Sequence, residues 1–258
     1  MNFSRIPGHQ EIIGRLIRSV KAGRVSHAQL FIGPEGCGTL ALALGYAQYI
    51  SCESRRDDDS CGTCKSCVKH EKMIHPDLHF VYPVIKKKNS TDEPISDDYI
   101  QQWREFITES PFRSVSDWFA AIGAEEKGQG LIYTAESSEI IRKLSLKPYE
   151  SDFKIMIIWL PEKMNATSAN KLLKLLEEPP DMTIFLLVSD EPDRILPTIL
   201  SRCQLLKVPA FTGDEIKSYL RSTFGTTGSD ADEIARLARG NIIRAIELSR
   251  NDETLKEP

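Results

Sequence analysis

The sequence predicts an α/β protein: a parallel five-stranded sheet with helices on both faces, followed by a small all-helical segment. Three observations predict it. The five runs "AQLFI", "DLHFVY", "FKIMIIWL", "MTIFLLVS" and "CQLLKV" are short and largely apolar, the pattern of strands buried on both faces. Segments of helical period alternate with them, which argues for crossover connections and hence for parallel strands. After Pro209 the strand candidates cease and three capped helical segments follow.

The elements run as follows. "QEIIGRLIRSVKAG" places Ile12, Ile13, Leu16, Ile17 and Val20 on one helical face, and Gly23 ends that helix. Residues 28–32 are the first strand, and a turn framed by Gly33 and Gly38 leads into a helix from Leu40 to Ile50. The remaining strands are expected at 77–82, 153–160, 182–189 and 203–208. The helix in "ESSEIIRKLSL" stops at Pro148, and the one in "ATSANKLLKLLEE" stops at Pro179–Pro180, because proline cannot continue a helix.

Beyond Pro209, "TGDEIKSYLRSTFG" opens on a capping box from Thr212 to Glu215 and ends near Gly225. "SDADEIARLARG" ends at Gly240, and "NIIRAIELSR" begins at the capping residue Asn241. These boundaries divide the chain into a core domain, 1–209, and a three-helix lid domain, 210–258. Residues 83–134 fit neither and read as an insertion. It carries two amphipathic helices around Trp103 and Trp118, the lysine run 86–88, and "EEKGQG". The lysine run reads as a solvated loop, with phosphate contact as the sharper alternative.

Composition bounds the function. At 258 residues and 41% hydrophobic, the chain can bury one good core and a second small one. A net charge of -4 excludes a global polycation, so any nucleic-acid contact must come from a local patch. No apolar run approaches the roughly 18 residues of a membrane span. "MNFSRIPGHQEIIGRL" lacks the order of a signal peptide, so a cytoplasmic location is expected.

Two constellations carry chemistry. "LFIGPEGCGTL" has the frame of a phosphate-binding loop after a strand, and Gly33, Gly36 and Gly38 keep the backbone cradle. Where such a loop needs lysine and a magnesium-binding hydroxyl, the chain has Thr39 and Leu40. The frame alone also fits an ordinary glycine turn. The acidic pair expected at the end of a neighbouring strand is missing too: "KIMIIWLPEKM" ends in Trp159-Leu160-Pro161-Glu162. A chain lacking both parts is not expected to hydrolyse ATP by itself. The second constellation is Cys52, Cys61, Cys64 and Cys67, four soft ligands within sixteen residues. In a reducing compartment that density fits a closed tetrahedral Zn²⁺ site, structural because no position is left for water. The Asp57–Asp59 run reads as an exposed loop between ligands, and Cys37 and Cys203 as small apolar fillers.

"GRVSHAQLFIGPEGCG", the four-cysteine module, "LSLKPYE", "NATSANKLLKLLEEPP", "ILPTILSRCQLLKVP" and "ARGNIIRAIEL" occur in one order. In that order they resemble the AAA+ subunits of the bacterial DNA polymerase III clamp loader, across nearly the whole chain outside 83–134. The resemblance implies an AAA+ P-loop-type sheet, the zinc module and the helical lid. Among its members, the branch with degraded nucleotide chemistry matches best; the alternative is a diverged gamma/tau-type ATPase with residual ATP binding.

It also implies partners: gamma/tau and delta subunits, a sliding clamp, and primer-template DNA through the assembly, with no membrane. Arg202 in "SRC", by itself a surface arginine before a strand, becomes an arginine finger reaching a neighbour's ATP. Arg244 matches a lid arginine that senses nucleotide, a packing or ion-pair role being the other reading. Glu177 and Glu178 shape the end of their helix. Relatives usually continue into a third helical domain, whereas this sequence stops at Pro258. The competing function classes are an autonomous ATPase and a zinc-centred nucleic-acid-binding module.

Overall fold

The structure, a computed structural model, describes residues 1–86, 91–124, 130–226 and 228–256, with side chains to residue 250. Lys87, Lys88 and most of "EEKGQG" (125–129) lie outside the described residues; Lys86 donates to the Thr91 carbonyl at 3.0 Å.

Five strands form one parallel sheet: β1 (Ala28–Ile32), β2 (Leu78–Val81), β3 (Lys154–Trp159), β4 (Thr183–Ser189) and β5 (Gln204–Lys207). Their spatial order is β2-β3-β4-β1-β5. The register pairs Gln29 with both Leu186 and Gln204, and Ile32 with both Ser189 and Lys207. Side chains alternate across the pleat. Ile155, Ile157, Trp159, Ile184, Leu186 and Val188 enter one apolar cluster, while Met156, Ile158, Phe185 and Leu187 enter the other.

On the first face lie α1 (Gln10–Lys21) and α2 (Thr39–Ser51). Every residue of α2 is buried, as expected for a helix that is apolar all round. The opposite face is covered by α6 (Thr134–Ser145), α7 (Ala166–Glu177) and the one-turn α8 (Pro197–Leu200), through Ile140, Leu144, Leu172, Leu176 and Ile199. α3 (Lys65–Glu71), inside the cysteine module, has no counterpart among the sequence expectations.

The described residues of the 83–134 segment pack into the core. They form α4 (Ile100–Glu109) and α5 (Val115–Ala121). Trp103 and Trp118 are fully buried in the first-face cluster, with Trp103 stacked on Tyr82 at 4.1 Å and 5.3 Å from Trp159. The Trp118 indole donates to the Pro83 carbonyl at 2.7 Å, satisfying the one polar atom that burial exposes to penalty. The C-terminal helices α9 (Gly213–Phe224), α10 (Gly228–Ala238) and α11 (Ile242–Lys256) pack on each other and contribute Ile216, Leu220, Ile234 and Ile242 to the same cluster.

Glu136, in the first turn of α6, is 1% exposed. Its Oε2 accepts from the Ser96 backbone at 2.6 Å, and Oε1 has no partner. Burial pushes its carboxyl up to about 7, against the pull of the Ser96 donors. The contribution of a raised carboxyl to stability is full below its unfolded value, near 4.5, and is lost as pH rises toward 7. Glu136→Gln is therefore expected to stabilise the fold by about 2–3 kcal/mol at pH 8 and by little at pH 4.5. Denaturant unfolding at the two pH values measures this, and an equal difference at both would assign the effect to packing instead.

Candidate functional site: a closed phosphate cradle and a four-thiol centre

The turn after β1 has the form of a cradle. Gly36 (φ +77°) and Gly38 (φ +86°) adopt the left-handed conformation, and Gly38 caps α2, a geometry that residues with a Cβ rarely adopt. The cradle is occupied by the protein itself. A Cβ on Gly36 would stand 2.0 Å from the Asn241 side chain, and Gly36 O accepts from Ile242 N at 3.0 Å. A Cβ on Gly38 would stand 3.0 Å from Phe211 and 3.4 Å from Phe112. His9 clamps the same place, bonding the Cys37 carbonyl at 2.8 Å while packing on Phe211 at 4.5 Å. The space left among Gly36, Gly38, Thr39, Phe112, Arg113 and Asp190 is about 20 Å³, room for a single water molecule.

Its electrostatics are acidic. Thr39, in the position of the missing lysine, is buried. Burial, reinforced by Glu162, Glu35 and Glu191 and opposed by a Thr39 hydrogen bond, pushes the carboxyl of Asp190, just past β4, up to about 7. Burial likewise raises Glu162, whose Oε1 accepts from Glu191 N at 3.3 Å while Oε2 has no partner. The nearby guanidinium of Arg113 is committed to Glu109 at 2.6 Å and lies over the Phe106 ring at 4.6 Å. A roomier groove of about 740 Å³ lies between the N-terminal segment, the end of α4 and α9. Its rim acids are engaged: Glu71 by Arg5, Glu109 by Arg113 and Asp214 by Lys217.

Arg202 sits at the opposite end of the strands, before the edge strand β5 that pairs with β1. It lies just before β5, five residues ahead of Lys207, the register partner of Ile32 at the cradle. At a strand rise of about 3.3 Å per residue the gap is roughly 16 Å. Its guanidinium pairs with Glu177 at the end of α7 and donates to the Thr198 carbonyl at 2.9 Å and Ser201 Oγ at 3.2 Å. Arg244 is exposed in the first turn of α11, one residue past Ile243, which lines the cradle. The structure therefore gathers Gly33, Gly36, Gly38 and Thr39 with α11 and keeps Arg202 apart from them.

The four cysteines converge. One sulfur from each of Cys52, Cys61, Cys64 and Cys67 lies within 4.8 Å of all the others, and Cys61 and Cys67 are 3.8 Å apart. Four sulfurs held tetrahedrally at about 2.3 Å from a zinc ion stand about 3.8 Å from one another. Backbone donors are aimed at the sulfurs: Cys61 N to Cys52, Thr63 N and Cys64 N to Cys61, and Cys67 N to Cys64. Burial raises the Cys61 thiol, but the donors of Thr63 and Cys64 outweigh it and bring it down to about 6. This cluster can hold a metal ion. By contrast, burial pushes Cys37 up to about 12 and Cys203 to about 11, so both are inert fillers.

One reading of the sequence needs correction here. Asp57 is exposed and pairs with Lys21 at 2.8 Å, but Asp59 is buried and accepts from Phe3 N and Ser4 N, each at 3.0 Å. It fastens the N-terminal turn to the cysteine module. Nothing in "RRDDDS" distinguishes it from its neighbours, because its partners lie more than fifty residues away.

The sheet order, the glycine turn after β1 and the helical segment folded over that turn define an AAA+ P-loop-type fold. The Holliday junction motor RuvB of Thermotoga maritima shares it, at TM-score 0.53 and 16% identity over 95% of this chain and 61% of that one. The chain belongs to the family described as DNA polymerase III, delta subunit, whose profile matches residues 8–212. DNA polymerase III subunit delta' of Bacillus subtilis is 30% identical over 241 residues, 92% of this chain and 58% of that protein. Subunit gamma of Buchnera aphidicola is 26% identical over 95% of this chain and 57% of its own length. The chain thus spans a little over half the length of these relatives. Among the described residues no helix is long and apolar enough to cross a membrane.

Proposed function

We propose that this chain is a delta-prime-type subunit of the DNA polymerase III clamp loader that does not hydrolyse ATP. In this reading it scaffolds the assembly and lends Arg202 to the ATP site of an adjacent subunit. The observation that carries the proposal is the closed cradle. With about 20 Å³ left between Gly38, Phe112 and Asp190, Asp190 held beside other acids, and the lining Arg113 already paired with Glu109, a magnesium triphosphate has neither room nor a free cationic partner there.

The position of Arg202 supports the second half. A guanidinium at the opposite end of the strands does not reach its own cradle, yet it is partly exposed, and its ion pair with Glu177 is open to solvent. In this reading residues 1–209 form the AAA+ core and 210–258 the lid. Cys52, Cys61, Cys64 and Cys67 hold one structural Zn²⁺ with no open coordination position. The partners are gamma/tau and delta subunits, the sliding clamp, and primer-template DNA through the assembly.

The test is ATP turnover. The isolated chain with Mg²⁺ and primed DNA is expected to show none, and a mixture with a gamma/tau ATPase to assemble and turn ATP over. Steady turnover by the isolated chain, on the order of 1 s⁻¹, would instead favour an autonomous ATPase.

A further inference from the structure

We propose that Glu177 is a latch for Arg202: it holds the guanidinium within its own subunit and releases it when a more highly charged anion is presented by a neighbour. This rests on the reading of Arg202 as an arginine that acts in trans.

The first argument is where Glu177 stands. It is the last residue of α7 and is followed by Glu178. The C-terminal end of a helix carries partial negative charge and favours lysine or arginine, so two carboxylates there work against helix stability. The end of α7 is already fastened by other means: His27 Nε2 meets the Leu176 carbonyl at 3.2 Å, and Glu178 N donates to Lys174 O at 3.0 Å. What offsets the misplaced charge is the ion pair with Arg202.

The second argument is how Arg202 is held. Its contacts use the two terminal guanidinium nitrogens, one to the Glu177 carboxylate and the other to Thr198 O and Ser201 Oγ. Thr198 and Ser201 are local, in and just after α8, and hold one terminal nitrogen. Glu177 comes from a different element and holds the other. The side chains of the pair are 34% and 46% exposed, and a pair so open to water biases an equilibrium by at most about five-fold. A phosphate group of a bound triphosphate carries more charge and offers the same paired-oxygen geometry to the guanidinium. The pair is thus strong enough to park the arginine and weak enough to give it up.

The experiment compares wild type, Glu177→Gln, Arg202→Ala and the double variant, each reconstituted with a gamma/tau ATPase. ATP turnover is followed at low and high salt. Glu177→Gln is expected to raise turnover about two- to five-fold at low salt. The gain should shrink at high salt, where the wild-type pair is already screened, and should vanish in the Arg202→Ala background. A Glu177→Gln variant equal to wild type, or one giving the same change without Arg202, overturns the latch while leaving the trans-acting arginine standing. If Arg202→Ala itself changes nothing, the trans reading falls and the latch falls with it. In the free chain, ¹⁵N-arginine spectra should show slower side-chain N–H exchange for Arg202 in wild type than in Glu177→Gln. Equal exchange would also overturn the latch, whether or not the assembly forms.

Discussion

Arg202→Ala is expected, on the proposed trans-acting role, to lower turnover at the adjacent subunit's ATP site by roughly 100-fold or more, with little change in ATP affinity. A guanidinium directed at the transferring phosphoryl group meets charge that is largest in the transition state. Its loss therefore falls on kcat rather than KM, and arginines supplied from a neighbour are worth about 10³–10⁵ in rate. The total turnover of an assembly with several ATP sites falls less, because sites fed by other subunits continue. Arg202→Lys should not restore the rate, since an ammonium cannot present the planar fork. The variant should still fold: Arg202 is partly exposed and its partner Glu177 remains in water, so the lost pair should cost at most about 1 kcal/mol and lower the melting temperature by no more than a few degrees. Unchanged kcat at every site of the assembly would remove Arg202 from the chemistry.

The sheet was legible because its strands are buried on both faces. A run such as "KIMIIW" has no polar phase to confuse with a surface element, and each observed strand falls within one or two residues of its expected ends. The C-terminal helices were legible for a different reason. Their termini carry local signals, such as the Thr212–Glu215 capping box, with Thr212 N donating to Glu215 at 2.7 Å. The four thiols announced themselves by spacing alone.

Contacts between distant segments were not legible. "PFR" at 111–113 has no feature that marks Phe112 as the side chain lying against Gly38, and Asn241 reads as a helix cap whether or not it also meets Gly36. Those two residues turn an incomplete phosphate loop into a closed one. The missing lysine could be read from the sequence, but the missing space could not. The same limit applies to Trp103 and Trp118: amphipathic spacing says that a face is buried, not that it is buried in the central core.

If the four thiols hold zinc as proposed, removing it, or one of its ligands, is expected to have the largest effect on stability. Purified protein should carry close to one equivalent of zinc, and Cys64→Ser should lose it. Cys64 plays two parts: it caps α3, its sulfur accepting from Cys67 N at 3.4 Å, and it stands within 4.8 Å of the other three sulfurs. Serine can keep the cap, so what the substitution removes is the thiolate. Without a cation, several thiolates within a few ångströms repel one another, and burial already drives Cys67 well above the ordinary thiol range. The module must then reprotonate or open. Opening reaches further than the loop, because Asp59 ties the module to Phe3 and Ser4 and Ser60 ties it to Gln48 of α2 at 2.8 Å. Metal binding that exists only in the folded state is folding free energy. A loss of several kcal/mol in a chain of this size lowers the melting temperature on the order of 10 °C, for Cys64→Ser and for chelated wild type alike. Because ligands must be deprotonated to bind, protons compete with the metal for the thiolates and its affinity should fall as pH falls, and calorimetry with metal analysis across pH 5–8 measures both effects. Protein that melts at one temperature with and without chelator would mean that the sulfurs are held by packing, and that the cluster contributes nothing through a metal.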